Sequence, residues 1–331
     1  MRRVASRTLL AVAVLLVGMT LLATTIGAMR LPLASLWPGG DEGLRQIWLT
    51  IRLPRVLLAL LVGSSLALCG CVLQGLFRNP LADPSLLGVS GGAALAVAMW
   101  LVLPFSVPAI IALYAPMVAA FVGSLSVMVV IFMLSQSEDG TLSRLLLVGI
   151  AINALCAAAV GMLSWISNDA QLRQLSLWGM GTIGQAQWSM LLVAATLMVP
   201  SSLVVWRMAA QLNLLQLGDE EAHYLGVNVP KLQRLMLLCS ALLVASSVAI
   251  CGIIGFIGLV VPHLMRLWLG ADHRALVPGS LLMGALLLLV ADTVARTLVA
   301  PAEMPVGLIT SIIGAPWFLW MIFNQGKAAH G

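Results

Sequence analysis

The chain has 331 residues, 61% of them hydrophobic and 9% charged, where a soluble domain carries roughly 25% charged residues. That composition excludes a water-soluble globular protein and places the chain in a bilayer. A net charge of +5 does not mark a nucleic-acid binder, because all but two of the 17 basic residues are arginines scattered at segment ends, with no basic stripe and no interleaved aromatics.

A helix needs about 20 apolar residues to cross the hydrocarbon layer. In chain order the apolar runs fall at roughly 8–28, 54–77, 86–105, 108–134, 144–166, 188–208, 233–252, 257–270, 276–298 and 305–323. This predicts an all-α, polytopic membrane protein of about ten transmembrane helices, the third and eighth short or interrupted. The first run follows Arg2, Arg3 and Arg7 as a secretory signal would. It is longer than the roughly 7–15 residues of a signal core and no small-x-small cleavage site follows it, so it reads as a retained helix.

The second run opens on IRLPR, residues 51–55. Arg52 and Arg55 read either as snorkelling interface anchors or, with Arg296, as a basic patch for acidic groups on an extracytoplasmic partner. Gly88-Val89-Ser90-Gly91-Gly92 matches GxSxG, whose serine would need a histidine base, with His263 the candidate. The small residues that continue through Ala96 favour close helix packing instead.

The longest polar connection is 211–231, QLNLLQLGDEEAHYLGVNVPK. It predicts two short helices, 212–217 before Gly218 and 219–225 ending at Gly226. Asp219, Glu220 and Glu221 open the second, where carboxylates complement the helix dipole. Leu214, Leu215, Leu217 and Leu225 give this loop an apolar surface that a docked partner would cover.

Residues 241–266 begin as a plain apolar helix and then break at Gly252, Gly255, Gly258 and Pro262-His263, residues that weaken a helical ladder in lipid. Residues 59–70 (ALLVGSSLALCG) and 241–252 (ALLVASSVAICG) match at nine of twelve positions, and the same 182-residue shift pairs Arg52-Leu53 with Arg234-Leu235 and Pro80 with Pro262. Five spans separate the copies, so the second inserts upside down. The expectation is a single membrane domain, 1–331, of two inverted five-helix halves at roughly 30–185 and 210–325, with a cytoplasmic segment at 211–228. Inverted repeats with interrupted helices mark transporters. Residues 252–262 should shape a turn and the start of a short cavity-side helix, with Gly255, Gly258, Pro262 and His263 pathway-lining or structural and His263 more structural than ligating.

Asp292 lies inside the ninth run with Arg296 at i+4, which permits an ion pair, structural or cavity-lining. The five cysteines (Cys69, Cys71, Cys156, Cys239, Cys251) sit in apolar runs and read as core residues. Cys69-x-Cys71 is too tightly spaced for a zinc knuckle, and no metal site is expected. There is no GxxxxGK[ST] phosphate loop and no HExxH, so no ATP hydrolysis, cofactor or bond chemistry is expected of this chain.

Arginine and lysine placement favours cytoplasmic termini. Arg2, Arg3, Arg7, Arg78, Arg144, Arg207, Lys231, Arg234, Arg274 and Lys327 then lie inside, and Arg30, Arg45, Arg52, Arg55, Arg173 and Arg296 outside, with Arg266 assigned to neither side.

The run of motifs IRLPR, RNPLADPSLLGVS (78–90), LSRLLLVGIA (142–151), LNLLQLGDEEAHYLGV (212–227), GFIGLVVPHLMR (255–266) and the ADTVAR and PVGLITSIIGAPWF segments beyond 276 resembles the FecCD/BtuC permeases over essentially the whole chain. These are the membrane subunits of type II ABC importers for iron complexes and vitamin B12. The resemblance implies a homodimer or paired homologue in a bacterial inner membrane, two cytoplasmic ABC ATPase subunits, and a periplasmic binding protein that delivers substrate. It implies that Arg52, Arg55 and Arg296 dock that binding protein. Leu212, Leu215, Leu217, Gly218, Asp219, Glu220, Ala222, Leu225 and Gly226 fall in the segment that matches the ATPase-coupling helices. Leu142 and Ser143 match the cytoplasmic gate, although Leu142 departs from the small polar residue of the vitamin B12 permease. Residues 173–188 look most like the haem-uptake branch, so the expected substrate is haem, then a ferric siderophore, then cobalamin. An ion-coupled secondary transporter and an intramembrane serine protease acting through Ser90 are the rival classes.

Overall fold

The computed structural model describes residues 2–27, 29, 31–32, 41–84, 88–105, 108–135 and 142–328. Its helices are α1 (Arg2–Thr25), α2 (Glu42–Ile47), α3 (Leu53–Leu76), α4 (Val89–Val102), α5 (Ala109–Ser135), α6 (Leu142–Ile166), α7 (Asp169–Gly179), α8 (Trp188–Leu215), α9 (Asp219–Tyr224), α10 (Val229–Cys251), α11 (Ile257–Leu269), α12 (His273–Thr297) and α13 (Val306–Ala328), with a π-helical stretch at Trp48–Arg52 leading into α3. Among the described residues, α1, α3, α5, α6, α8, α10 and α12 are long and apolar enough to cross a membrane, and α4, α11 and the first part of α13 are shorter apolar helices. The ten spans expected from the apolar runs are therefore all helices among the described residues, and the third and eighth are among the three short ones.

Two short helices fall outside that expectation. In α2, Asp41 caps the N-terminus by accepting from the amides of Gly43 and Leu44. In α7, Asn168 and Gln171 form a capping box, and the Gln171 amide donates to the Leu101 carbonyl at the end of α4 at 2.9 Å. Both are too polar and too short to register as spans. The separate helix expected at 212–217 does not form. Instead α8 runs unbroken to Leu215, and its 28 residues reach about 42 Å at 1.5 Å per residue.

The core is built from α3, α10 and α12. In the apolar stretch of α3, 78% of residues are buried, against 17% in α1 and α6. Lipid is as apolar as leucine, so helices in it associate through close backbone contact at small residues rather than through expulsion of water. Helices α3 and α12 meet at Gly63 and Gly284, where a methyl group on either residue would overlap the carbonyl oxygen of the other. The α3 N-terminus and the α12 C-terminus lie at one end of the bundle. At the other, the end of α3 meets the end of α8.

The break after α10 is real. Gly252 takes φ +69 and Phe256, which caps α11, takes φ +67. The freed backbone finds partners in the 180–184 loop, where the Thr182 amide donates to the Cys251 carbonyl at 2.7 Å. Such repair is what allows irregular backbone at membrane depth.

Candidate functional site

The first polar cluster lies at the start of α3. Arg55 donates through Nε and Nη2 to Asp292 Oδ1 at 3.1 and 2.9 Å, and through Nη1 to Glu303 Oε1 at 2.8 Å. Asp292 also pairs with Arg296 one turn later on α12, Nε to Oδ2 at 3.5 Å. Arg296 Nη2 donates to the Ala23 carbonyl at 2.6 Å, and Arg52 donates to the carbonyls of Ile26 and Met29. The Asp292–Arg296 pair anticipated from i+4 spacing thus belongs to a larger network that ties α1, α3 and α12 together.

Arg52, Arg55, Arg296 and Asp292 are all buried, and of this network only Glu303 is substantially solvent-accessible, at 48% of its side chain. Arg52, Arg55 and Arg296, which the sequence reads either as anchors or as one basic patch, come together in the fold. It also turns them inward and supplies Glu303, which no motif had singled out. Three guanidiniums face two carboxylates, leaving the cluster with an excess of positive charge.

The second cluster surrounds α9. Leu212, Leu215 and Ala222 are fully buried, whereas Leu217, Leu225 and Tyr224 are exposed, Tyr224 at 85%. The apolar surface expected of this loop is therefore carried by Leu217, Tyr224 and Leu225, and Leu215 faces inward. Gly218 joins α8 to α9 at φ +138, a conformation that L side chains rarely adopt.

The elbow formed by the end of α8, Gly218 and α9 is tied to its neighbours on two sides. Arg78 donates to the Leu215 carbonyl at 3.0 Å and pairs with Asp219, and Gln216 Nε2 donates to the Gly75 carbonyl at 2.7 Å. Asn213 donates to Asp272 Oδ1 at 2.6 Å and accepts from the His273 amide at 2.7 Å. Asp272 caps α12 by accepting from the Arg274 amide at 2.9 Å. Partial burial opposes its charge, but the bonds from Arg274 and Asn213 outweigh that and hold its carboxyl below the ordinary value.

Along the broken stretch, Gly258, Pro262 and His263 lie in α11, and all three are buried. The His263 ring stands edge-on to Trp317, 6.0 Å between centroids. A cavity of about 340 Å³ opens between α11, α12 and α13, with an apolar lining that includes Phe256, Leu264, Leu287, Ile313 and Trp317. A second, of about 280 Å³, is bordered by Asp83, Pro84, Ser90, Ile253 and Gly255. Ser90 lies in the first turn of α4, which packs against α5 at Gly92 and Gly123. All five cysteines are buried and unbridged. The side chains of Leu142 and Ser143 lie outside the described residues; their backbone begins α6.

Among the described residues, ten apolar helices, irregular backbone after α10 and a polar cluster at each end of the bundle fit an all-α membrane permease. Residues 11–324 match the FecCD transport family, and the chain belongs to it. It is 59% identical over 319 residues, 96% of each chain, to the hemin transport system permease protein HmuU of Yersinia pestis. To the vitamin B12 import system permease protein BtuC of Vibrio cholerae it is 40% identical over 317 residues, 94% of this chain and 93% of the relative. Its fold superposes with a TM-score of 0.86 on a solved inward-facing conformation of a metal-chelate type ABC transporter, at 35% identity, covering 96% of this chain and 99% of the other.

Proposed function

We propose that this chain is the permease subunit of an ATP-driven importer for haem, working as a homodimer with two cytoplasmic ABC ATPase subunits and a periplasmic binding protein. The observation that carries the substrate class is the 59% identity with the hemin permease, held over 96% of both chains. Both termini lie in the cytoplasm, the side on which the α9 elbow meets the ATPase. Leu217, Tyr224 and Leu225 form the apolar contact there, because exposed leucines and a tyrosine at the end of a membrane helix need a cover. Leu142 and Ser143 serve as the gate on that side.

On the periplasmic side, Arg52, Arg55 and Arg296 receive acidic groups of the binding protein. Their excess over Asp292 and Glu303 supports that role. Helices α3–α4 and α10–α11, each pair interrupted by irregular backbone, are counterparts in two inverted halves. ATP binding shifts the balance between states only if each state binds its partners differently.

The test is ligand-stimulated ATPase activity of the complete complex in lipid nanodiscs, with the binding protein loaded by haem, a ferric hydroxamate or cobalamin. Haem alone should stimulate. Stimulation by cobalamin instead would overturn the substrate assignment, and uptake without the ATPase would overturn the importer.

A further inference from the structure

The motif RNPLADPS, residues 78–85, has no part in the functions assigned above. Its first residue occupies an unusual place. Helix α3 ends in a Schellman arrangement: the Asn79 amide donates to the Gln74 carbonyl at 3.2 Å and the Arg78 amide to the Gly75 carbonyl at 3.4 Å. The position after such a helix end is left-handed and is ordinarily glycine, yet here it is Arg78 at φ +49. An arginine there is strained relative to glycine. What it gains is the side chain, which reaches the elbow: Nε donates to the last carbonyl of α8, at Leu215, and Nη2 pairs with Asp219. A cation at a helix C-terminus also complements the helix dipole.

The other side of the same turn grips the broken stretch. The Gln74 side chain donates through Nε2 to the Leu259 carbonyl in the first turn of α11 at 3.2 Å. Pro84 packs on Gly258 so closely that a Cβ there would lie 2.7 Å from its ring carbons. The end of α3 therefore touches the α8–α9 elbow through Arg78 and Gln216, and the start of α11 through Gln74 and Pro84.

We infer that Arg78 is a positioning residue of the transport cycle, a latch that makes the end of α3 and the start of α11 follow the α8–α9 elbow. This rests on the reading that the elbow docks the ATPase. The exposed half of the latch, the ion pair with Asp219, contributes little by itself. The bond to the Leu215 carbonyl, partly buried and at a helix end, is the mechanical link. A substitution that keeps the fold separates coupling from mere spatial connection.

Arg78→Gly supplies that substitution, because glycine suits the left-handed position better than arginine does. In nanodiscs holding the permease, ATPase and binding protein, the variant should melt at the parental temperature or above and retain its ATPase subunits. Its basal hydrolysis should stay within about twofold, while stimulation by loaded binding protein falls about fivefold or more. Arg78→Lys, which keeps the charge and loses the fork, should fall between the two. Stimulation of Arg78→Gly at the parental level would overturn the latch, as would loss of the ATPase, which would show that Arg78 only holds the elbow in shape. The docking reading is checked separately by Tyr224→Ala with Leu225→Ala; unchanged ATPase binding in that variant would sink the docking reading itself.

Discussion

Arg55 and Asp292 are 237 residues apart in the chain, yet the guanidinium of one donates to the carboxylate of the other at 2.9 and 3.1 Å in a site almost closed to solvent. The pair joins α3 to α12 at the end of the bundle where α1 also arrives, through Ala23 and Arg296. An intramembrane carboxylate is tolerable only because it is paired.

Asp292→Asn should therefore be severely destabilising. It leaves Arg55 with Glu303 as its only carboxylate and removes the charge partner of Arg296. Breaking one side of a buried ion pair costs about 3–5 kcal/mol, much of it from the charge left behind. The loss would be read as a lower melting temperature of the purified permease in detergent. A melting temperature equal to the parent's would show that the cluster is hydrated and not structural.

Glu303→Gln should behave differently. Its carboxylate is half-exposed, and such bridges contribute at most about 1 kcal/mol. Stability should barely change, but a carboxylate that occupies Arg55 competes with any acidic group of a docking protein. The variant should bind the periplasmic protein more tightly at low salt, and Arg52→Glu less tightly, with both differences shrinking as ionic strength rises. Equal affinities across the three proteins would remove the arginine cluster from the docking surface.

The ten spans were readable in the sequence because hydrocarbon imposes length and composition together. The twin stretches at 59–70 and 241–252 fall in the middle of α3 and at the end of α10. What the sequence hid was pairing across distance. Arg52 and Arg55 read as snorkelling anchors or as an outward basic patch, because nothing local says that Asp292 folds onto them. Leu215 was counted with the apolar surface of a loop because a polar connection gives no sign that α8 continues through it. Helix α7 escaped notice for the opposite reason: its Asp169, Gln171, Arg173 and Gln174 read as loop, and only the capping box at Asn168 marks a helix.

Close approach of α3 and α12 gives a contrast between glycines. Gly284→Val puts a branched side chain against the Gly63 carbonyl and the Ala67 methyl, and overpacking of that kind costs about 1–3 kcal/mol or more. Gly18→Ala, in α1 with no neighbour within 4 Å of the new methyl, should be neutral or gain about 0.5–1 kcal/mol from the lower entropy of the unfolded chain. Thermal unfolding of the two variants side by side is the check, and equal behaviour would contradict the packing described here.

The elbow at Gly218 allows the sharpest separation of folding from coupling. At φ +138 the position cannot hold proline, whose ring fixes φ near about −65°, so Gly218→Pro must reorient α9 relative to α8. The membrane core, built from α3, α10 and α12, does not include this joint and should assemble as before. Glu220→Lys leaves the backbone alone but reverses a charge in the first turn of α9, against the helix dipole. Gly218→Pro should abolish uptake while the permease still inserts and elutes as a single species. Glu220→Lys should weaken coupling more mildly, with ATP still hydrolysed and less substrate moved per turnover. Measuring uptake and hydrolysis in the same vesicles separates the two, and normal stimulated uptake in Gly218→Pro would mean that α9 is not the element through which ATP acts.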